Sequence, residues 1–205
     1  MKNSSMKLEN ITLPIFPLSV FLLPGGVTKL RIFEPRYLKM VAIASAGQGF
    51  VICLTNDNNS ENTNGFNIPL SDENKLWGSW VEIINFDQDE EGILEIDVQC
   101  KSLVAIDLLE QDRDNLDFGN VFQIEHWSQQ HDDNSISELS VSLESVFAEN
   151  ENLNDLYPNK LLNDTHWVLA RWLEILPIEI NVKSAFVDNY SFQEAKGFVE
   201  SVIFK

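Results

Sequence analysis

The sequence predicts an α+β protein in which a strand-rich part, residues 1–127, precedes a helical part, residues 128–205. Three observations lead there. Apolar runs rich in β-branched and aromatic residues, divided by turn signals, recur from Ile11 to Trp127. One helical pattern is inserted among them after Glu34-Pro35. From about residue 128 the apolar spacing changes to three and four and keeps that period to the end.

The elements follow in order. Ile15 to Leu22 is an apolar stretch of strand formers, and Pro14 and Pro17 mark it as an edge strand or a strand start. Pro24-Gly25-Gly26 is a turn, because glycine supplies the positive φ that tight turns need. Val27 to Phe33 alternates, with Val27, Lys29 and Arg31 on one parity and Leu30 and Ile32 on the other, which predicts a half-buried strand. Pro35 suits the first helical position, and Tyr37, Met40, Val41 and Ala44 make the stripe of the helix it opens. Gly49 to Leu54 is short and wholly apolar, as a central strand is. Residues 55–65 are polar and Asn-rich, a loop. Trp77–Phe86 and Ile93–Ile106 form a hairpin about the acidic turn Asp87–Gly92, and Phe118–Trp127 adds one more strand. Several strands with one helix fit a closed or nearly closed sheet, since closure removes exposed edges.

The helical part begins after a linker, residues 128–135. Ser135 or Ser137 can cap a helix from Ile136 to Ala148 with Leu139, Leu143 and Val146 on its stripe. A short turn is expected around Pro158. Asp164 caps a helix through Trp167, Val168, Arg171 and Trp172 that stops at Pro177. Ile178 to Val187 is a third helical pattern. Ser191 caps the last, which carries Phe192, Ala195, Phe198, Val199 and Val202. Together these make a C-terminal helical bundle.

Three motifs in the first part carry a resemblance: Phe16-Pro17-Leu18, Pro24-Gly25 and Ile32-Phe33-Glu34-Pro35-Arg36-Tyr37. In this order and spacing they resemble the start of the Lon substrate-binding domain, the N-terminal domain of the ATP-dependent Lon proteases. The likeness continues more weakly to about Ile106. It implies a PUA-like β-barrel followed by helices, and recognition of polypeptide, in particular exposed apolar segments of unfolded chains. Gly78-Ser79 matches the family's Gly-Thr fairly. At the family's later glycine and arginine this chain carries Cys100 and Leu103, so a role resting on that arginine does not carry over.

Composition narrows the function. The formal net charge of −18 argues against general binding to nucleic acid or to anionic membranes. Lys29, Arg31, Arg36 and Lys39 form the one local concentration of base. No apolar run reaches the roughly 18 residues of a membrane span, and MKNSSMKLEN lacks the apolar core of a signal peptide. Met6 offers an alternative start. Cys53 and Cys100, both within strands, read as buried reduced thiols, and a cytoplasmic location is expected.

No GxxxxGK[ST] run and no nucleophile elbow are present, so neither ATPase nor peptidase is expected, and no catalytic residue, cofactor or metal site is assigned. His126, His131 and His166 are dispersed polar histidines; a metal site of His126, His131, Asp132 and Asp133 is the weaker alternative. Asp87, Asp89, Glu90 and Glu91 miss the spacing of a calcium loop and read as a solvated turn. Candidate binding residues are Arg31, Arg36, Trp167 and Trp172. The two arginines are expected to pair with Glu34 at the strand-to-helix junction. The two tryptophans, five apart, do not share one stripe, so one of them is expected to be partly exposed. The resulting expectation is a non-enzymatic, stand-alone relative of the Lon domain that binds polypeptide or a protein partner in a groove between barrel and helices. The alternative is a PUA-like RNA-binding module.

Overall fold

The computed structural model describes residues 11–54, 76–127 and 136–204. Six strands and six helices occur among them: β1 (Ile11–Pro17), β2 (Val27–Ile32), α1 (Pro35–Ala44), β3 (Phe50–Cys53), β4 (Leu76–Gln88), β5 (Leu94–Gln111), β6 (Asp117–Ile124), α2 (Ser137–Glu149), α3 (Glu151–Leu156), α4 (Thr165–Ile175), α5 (Ile180–Ser184) and α6 (Phe192–Ile203). The Asn-rich stretch 55–65, the linker 128–135 with His131, Asp132 and Asp133, and Met6 lie outside the described residues.

The sheet closes on itself, as the PUA-like expectation requires. β1 pairs parallel to β3 and antiparallel to β6, β3 with β4, β4 with β5, and β5 with β6, which returns to β1. The long strand β5 makes this possible. Along one edge its first half carries β2, from Val27 opposite Gln99 to Ile32 opposite Leu94, and its second half carries β6, from Leu103 opposite Ile124 to Gln111 opposite Asp117. A register shift between Ile106 and Leu109 bends it there, as a bulge does.

The prolines of β1 explain the stagger. Residues 11–15 pair with β6 and residues 15–17 with β3, so only Ile15 has a partner on both sides. Pro14 therefore faces β6 alone and Pro17 ends the strand, and neither removes a donor that two neighbours need. The apolar run continues past Pro17 in sequence but not as a strand: residues 18–26 leave the sheet as an irregular loop ending in the glycine turn.

All four residues of β3 are buried, as its unbroken apolar run predicts. Val51 and Cys53 join Leu13, Ile15, Val104, Ile106 and Val121 in a small cluster. Phe50 and Ile52 face the main core, which runs without a break from Phe16 and Tyr37 through Trp77 and Leu103 to Leu143, Leu169 and Val199. Barrel and helices thus share one core. The stripe predicted for α1 is the buried one, Tyr37, Met40, Val41 and Ala44. Phe16 meets Tyr37 edge to face at 4.5 Å.

Helix caps divide. Asp164 caps α4 by accepting the Trp167 N–H at 3.0 Å. Ser191 precedes α6 but gives no side-chain cap; its hydroxyl donates to the Asp188 carbonyl at 2.6 Å. The stretch 178–187 is helical only over α5, shorter than its periodicity predicts. α3 ends before Pro158.

Candidate functional site

The site is built around the turn Leu23-Pro24-Gly25-Gly26 and helix α4. Gly25 has φ of +80° and so needs to be glycine. The turn is strapped to β5 by Gly25 N–H to Cys100 carbonyl and Cys100 N–H to Gly26 carbonyl, both 2.8 Å. Its other side rests on a buried ion pair. The Arg171 guanidinium donates to Glu174 twice, from Nε at 2.7 Å and Nη2 at 2.8 Å. The same Nη2 reaches the carbonyls of Leu23 and Pro24 at 3.3 and 3.2 Å, and Glu174 Oε1 accepts the Leu23 N–H at 2.6 Å. A methyl group at Gly26 would collide with that carboxylate. Burial pushes the Glu174 carboxyl above its usual range, and the adjacent guanidinium opposes that shift.

An aromatic cluster backs the pair. Phe147, Tyr157 and Trp167 lie 5.3–6.0 Å apart, and the Arg171 guanidinium sits over the Tyr157 and Trp167 rings at 5.7 and 5.4 Å. The Tyr157 hydroxyl accepts the Val27 N–H at 2.8 Å and donates to the Val27 carbonyl at 3.3 Å, tying the helices to β2.

Beside the turn lies an open pocket of about 260 Å³. One wall is Pro24 and Gly25. Another is the start of α4 with Asp164, His166, Trp167 and Ala170, with Leu161 before it. His126 and Trp127, where the chain leaves the barrel, make the third. The pocket is thus lined both by residues of the glycine turn and barrel exit and by residues of α4 and the segment before it. Trp127 has φ of 44°, its indole N–H donates to the Ser191 hydroxyl at 3.1 Å, and its ring meets Phe192 edge to face at 5.4 Å. His126 stacks on Trp127 at 4.2 Å. Its Nδ1 lies 3.0 Å from the Val187 carbonyl, which only accepts, so Nδ1 carries the proton. Burial pushes the His126 pKa down to about 4, with the Val187 carbonyl and Asp188 opposing and His166 adding to the fall. The two histidines the sequence leaves dispersed, His126 and His166, therefore share one pocket.

The expected site residues fall in different places. Trp167 and Trp172 are both buried, 6% and 4% exposed, against the expectation that one would be partly exposed. Every residue from Trp167 to Leu173 is buried, because α4 is packed on all sides and has no solvent face. Trp172 donates to the Leu139 carbonyl at 3.0 Å, while Trp167 reaches the pocket. Arg36 pairs with Glu34 at 2.9 Å, as expected, and stacks over Tyr37 at 4.5 Å. Arg31 turns instead to the β4–β5 hairpin, against Asp89, Glu91 and Glu95. Lys29 sits with Glu95 and Asp97, and Lys39 with Asp112 and Asp114. The basic cluster is thus surrounded by acids. Asp89 also accepts the backbone N–H groups of Glu91 and Ile93, so it organises the hairpin turn, and these bonds with Arg31 hold its pKa down. Among the described residues no three His, Cys, Asp or Glu side chains are grouped to hold a metal ion.

The sequence matches the family described as the ATP-dependent protease La (LON) substrate-binding domain over residues 12–181. The chain belongs to that family. The match runs from β1 into α5 and so takes in the barrel, the glycine turn, α4 and the pocket. Among solved structures, a Lon N-terminal domain protein from Xanthomonas campestris is similar at 25% identity, covering 92% of this chain and 98% of that one, with a TM-score of 0.66. The N-terminal domain of a Mycobacterium avium complex Lon protease shares the fold at 12% identity, covering 93% and 97%, with a TM-score of 0.56. No curated protein matches. Leu103 is fully buried in the main core. No helix among the described residues is long and apolar enough to cross a membrane.

Sequence reasoning missed Glu174 altogether and saw Arg171 only as part of a helix. Their signal is a charged pair three apart inside the apolar run Trp167–Ile175, which is costly unless the charges meet.

Proposed function

We propose that this LON domain works without catalysis, binding polypeptide or a protein partner in the groove between barrel and helices. The observation that carries the reading is the pocket itself. It opens where the Pro24-Gly25 turn meets α4 and the barrel exit at Trp127, and junctions of this kind are common ligand sites. Membership of a substrate-binding family supports a polypeptide occupant. In this reading the barrel, 1–127, and the helical subdomain, 128–205, act as two jaws with a common core, in the cytoplasm, with no part for membrane or nucleic acid. Trp167 contributes to the groove; Arg31 and Arg36 serve as pairing residues of the barrel surface.

The test is a titration of the purified chain with a fluorescently labelled polypeptide kept unfolded by reduction and alkylation. Saturable binding that a substitution of Leu161, exposed at the pocket rim, weakens is the expected result. Absence of binding, or binding indifferent to every pocket substitution, would remove the groove reading. The RNA alternative is disfavoured by the acidic partners on all four residues of the basic cluster.

A further inference from the structure

The pocket has one charged wall. The Asp164 carboxylate caps α4 there and is half exposed. Its Oδ1 accepts the Trp167 N–H at 3.0 Å and lies 3.9 Å from His166 Nδ1. Its Oδ2 makes no hydrogen bond among the described residues, which leaves an acceptor for a ligand. No lysine or arginine is among the described residues that line the pocket. Most of the remaining lining is aromatic or apolar, with Trp127, Trp167 and Leu161 contributing the largest side chains. At about 260 Å³ the pocket falls just below the roughly 300–1,000 Å³ of sites for small molecules, which suits one long side chain.

The surrounding charges keep that wall negative. Burial holds His126 neutral by pushing its pKa down to about 4, and Asp188 adds a negative field there. Arg171 lies behind Trp167, but its charge is met by two bonds to Glu174. Lys160, next to Leu161, turns to the Tyr157 carbonyl at 2.9 Å and the Phe147 ring at 5.2 Å. The positive end of α4 amounts to about half a charge, and Asp164 itself meets it. An anion would face the carboxylate and an overall charge of −18. A purely apolar group would cover the carboxylate and offer nothing in place of water. A cation on an apolar stem suits both parts of the lining, its stem on the rings and its head at Oδ2.

We propose that this pocket seats one basic side chain of a bound polypeptide, arginine ahead of lysine, with its charged head on Asp164 Oδ2. The proposal rests on the polypeptide reading above and gives it a sequence preference. Arginine leads because its planar guanidinium lies flat on aromatic rings, forks onto carboxylates and sheds water more readily than an ammonium.

Short peptides identical but for a central Arg, Lys or citrulline provide the test, citrulline being the neutral isostere of arginine. On the unsubstituted protein the Arg peptide is expected to bind about fivefold tighter than the citrulline peptide, from one half-exposed ion pair and one cation on aromatic rings, with Lys between them. Asp164→Asn keeps the helix cap, since asparagine caps as well as aspartate, and should make Arg and citrulline equal. A readout free of any variant is the NMR shift of the Trp127 and Trp167 indole N–H groups. N-acetyl-argininamide at millimolar concentration should move both, and N-acetyl-citrullinamide should move them much less. Equal affinity for Arg and citrulline, an Arg preference that survives Asp164→Asn, or equal shifts from both amides overturns the proposal. If the reduced and alkylated polypeptide binds but the Arg peptide holds no advantage, the basic seat alone is wrong. If neither binds, the polypeptide reading falls and the seat with it.

Discussion

Removing Glu174 tests what joins the helices to the barrel. Its carboxylate receives two bonds from Arg171 and one from the Leu23 N–H, and the two side chains are 9% and 0% exposed. Glu174→Ala strands a guanidinium with nowhere to find water and leaves a backbone donor unmet. Breaking one side of a buried pair costs roughly 3–5 kcal/mol. With a urea m-value of about 2 kcal/mol/M, a loss of about 4 kcal/mol lowers the unfolding midpoint by about 2 M. Tryptophan emission reads it directly, because Trp167 packs against Arg171. The double variant Arg171→Met/Glu174→Leu removes both charges and should recover most of the loss, since burial works against the pair. A single-variant loss under about 1 kcal/mol, the worth of an exposed pair, would refute this account. So would a double variant as unstable as the single one.

The other predictions concern the pocket and the barrel surface. His126 falls from 6.5 to about 4 on folding, so the unfolded chain takes up its proton first; stability should therefore decline as pH drops from about 6.5 to 4, by about 3 kcal/mol in all. Urea midpoints at several pH values check this, and His126→Phe should flatten that part of the profile. Gly25→Ala forces alanine to φ of +80° with its Cβ 3.2 Å from the Trp167 ring, and should cost at least about 1–2 kcal/mol, read by thermal unfolding. Arg36→Ala should cost under about 1 kcal/mol, because its pair with Glu34 is a third or more exposed on each side; unchanged stability with lost polypeptide binding would make Arg36 a contact residue. An anisotropy titration at about 0.15 M salt should show no RNA or DNA binding, and micromolar binding abolished by Arg31→Glu would reverse that reading.

Much of the architecture was legible because it rests on local signals. The Glu34-Pro35 start, the α1 stripe and the Asp164 cap are each written within a few residues, and each appears as read. Closure of the sheet was readable only in outline, since the pairings of β1 with β6 and of β2 with β5 join segments far apart in sequence. The Ser191 cap failed because a tertiary partner, the Trp127 indole, shares its hydroxyl. The tryptophans were misjudged because a stripe argument assumes a helix with one wet side, and α4 has none. For the site, Pro24-Gly25 and Trp167 were in view, but the meeting of His126 with His166 comes from folding residues forty apart onto one junction. Periodicity carries no trace of that.

The closure of the barrel has a consequence for how the chain is made. β1 is made before its neighbours, yet its partner for Ile11 is Val121, and the partner for Ile15 on the other side is Val51. At translation rates of about 5–20 residues per second, β6 arrives roughly 5–20 s after β1. During that interval Leu13, Ile15 and Phe16, all buried in the finished protein, have no complete surface to cover them. β1 thus waits for a strand made about a hundred residues later before both of its edges are paired. A nascent chain therefore carries these apolar side chains uncovered until β6 has been made, an interval in which a chaperone that holds extended apolar segments would find one to bind.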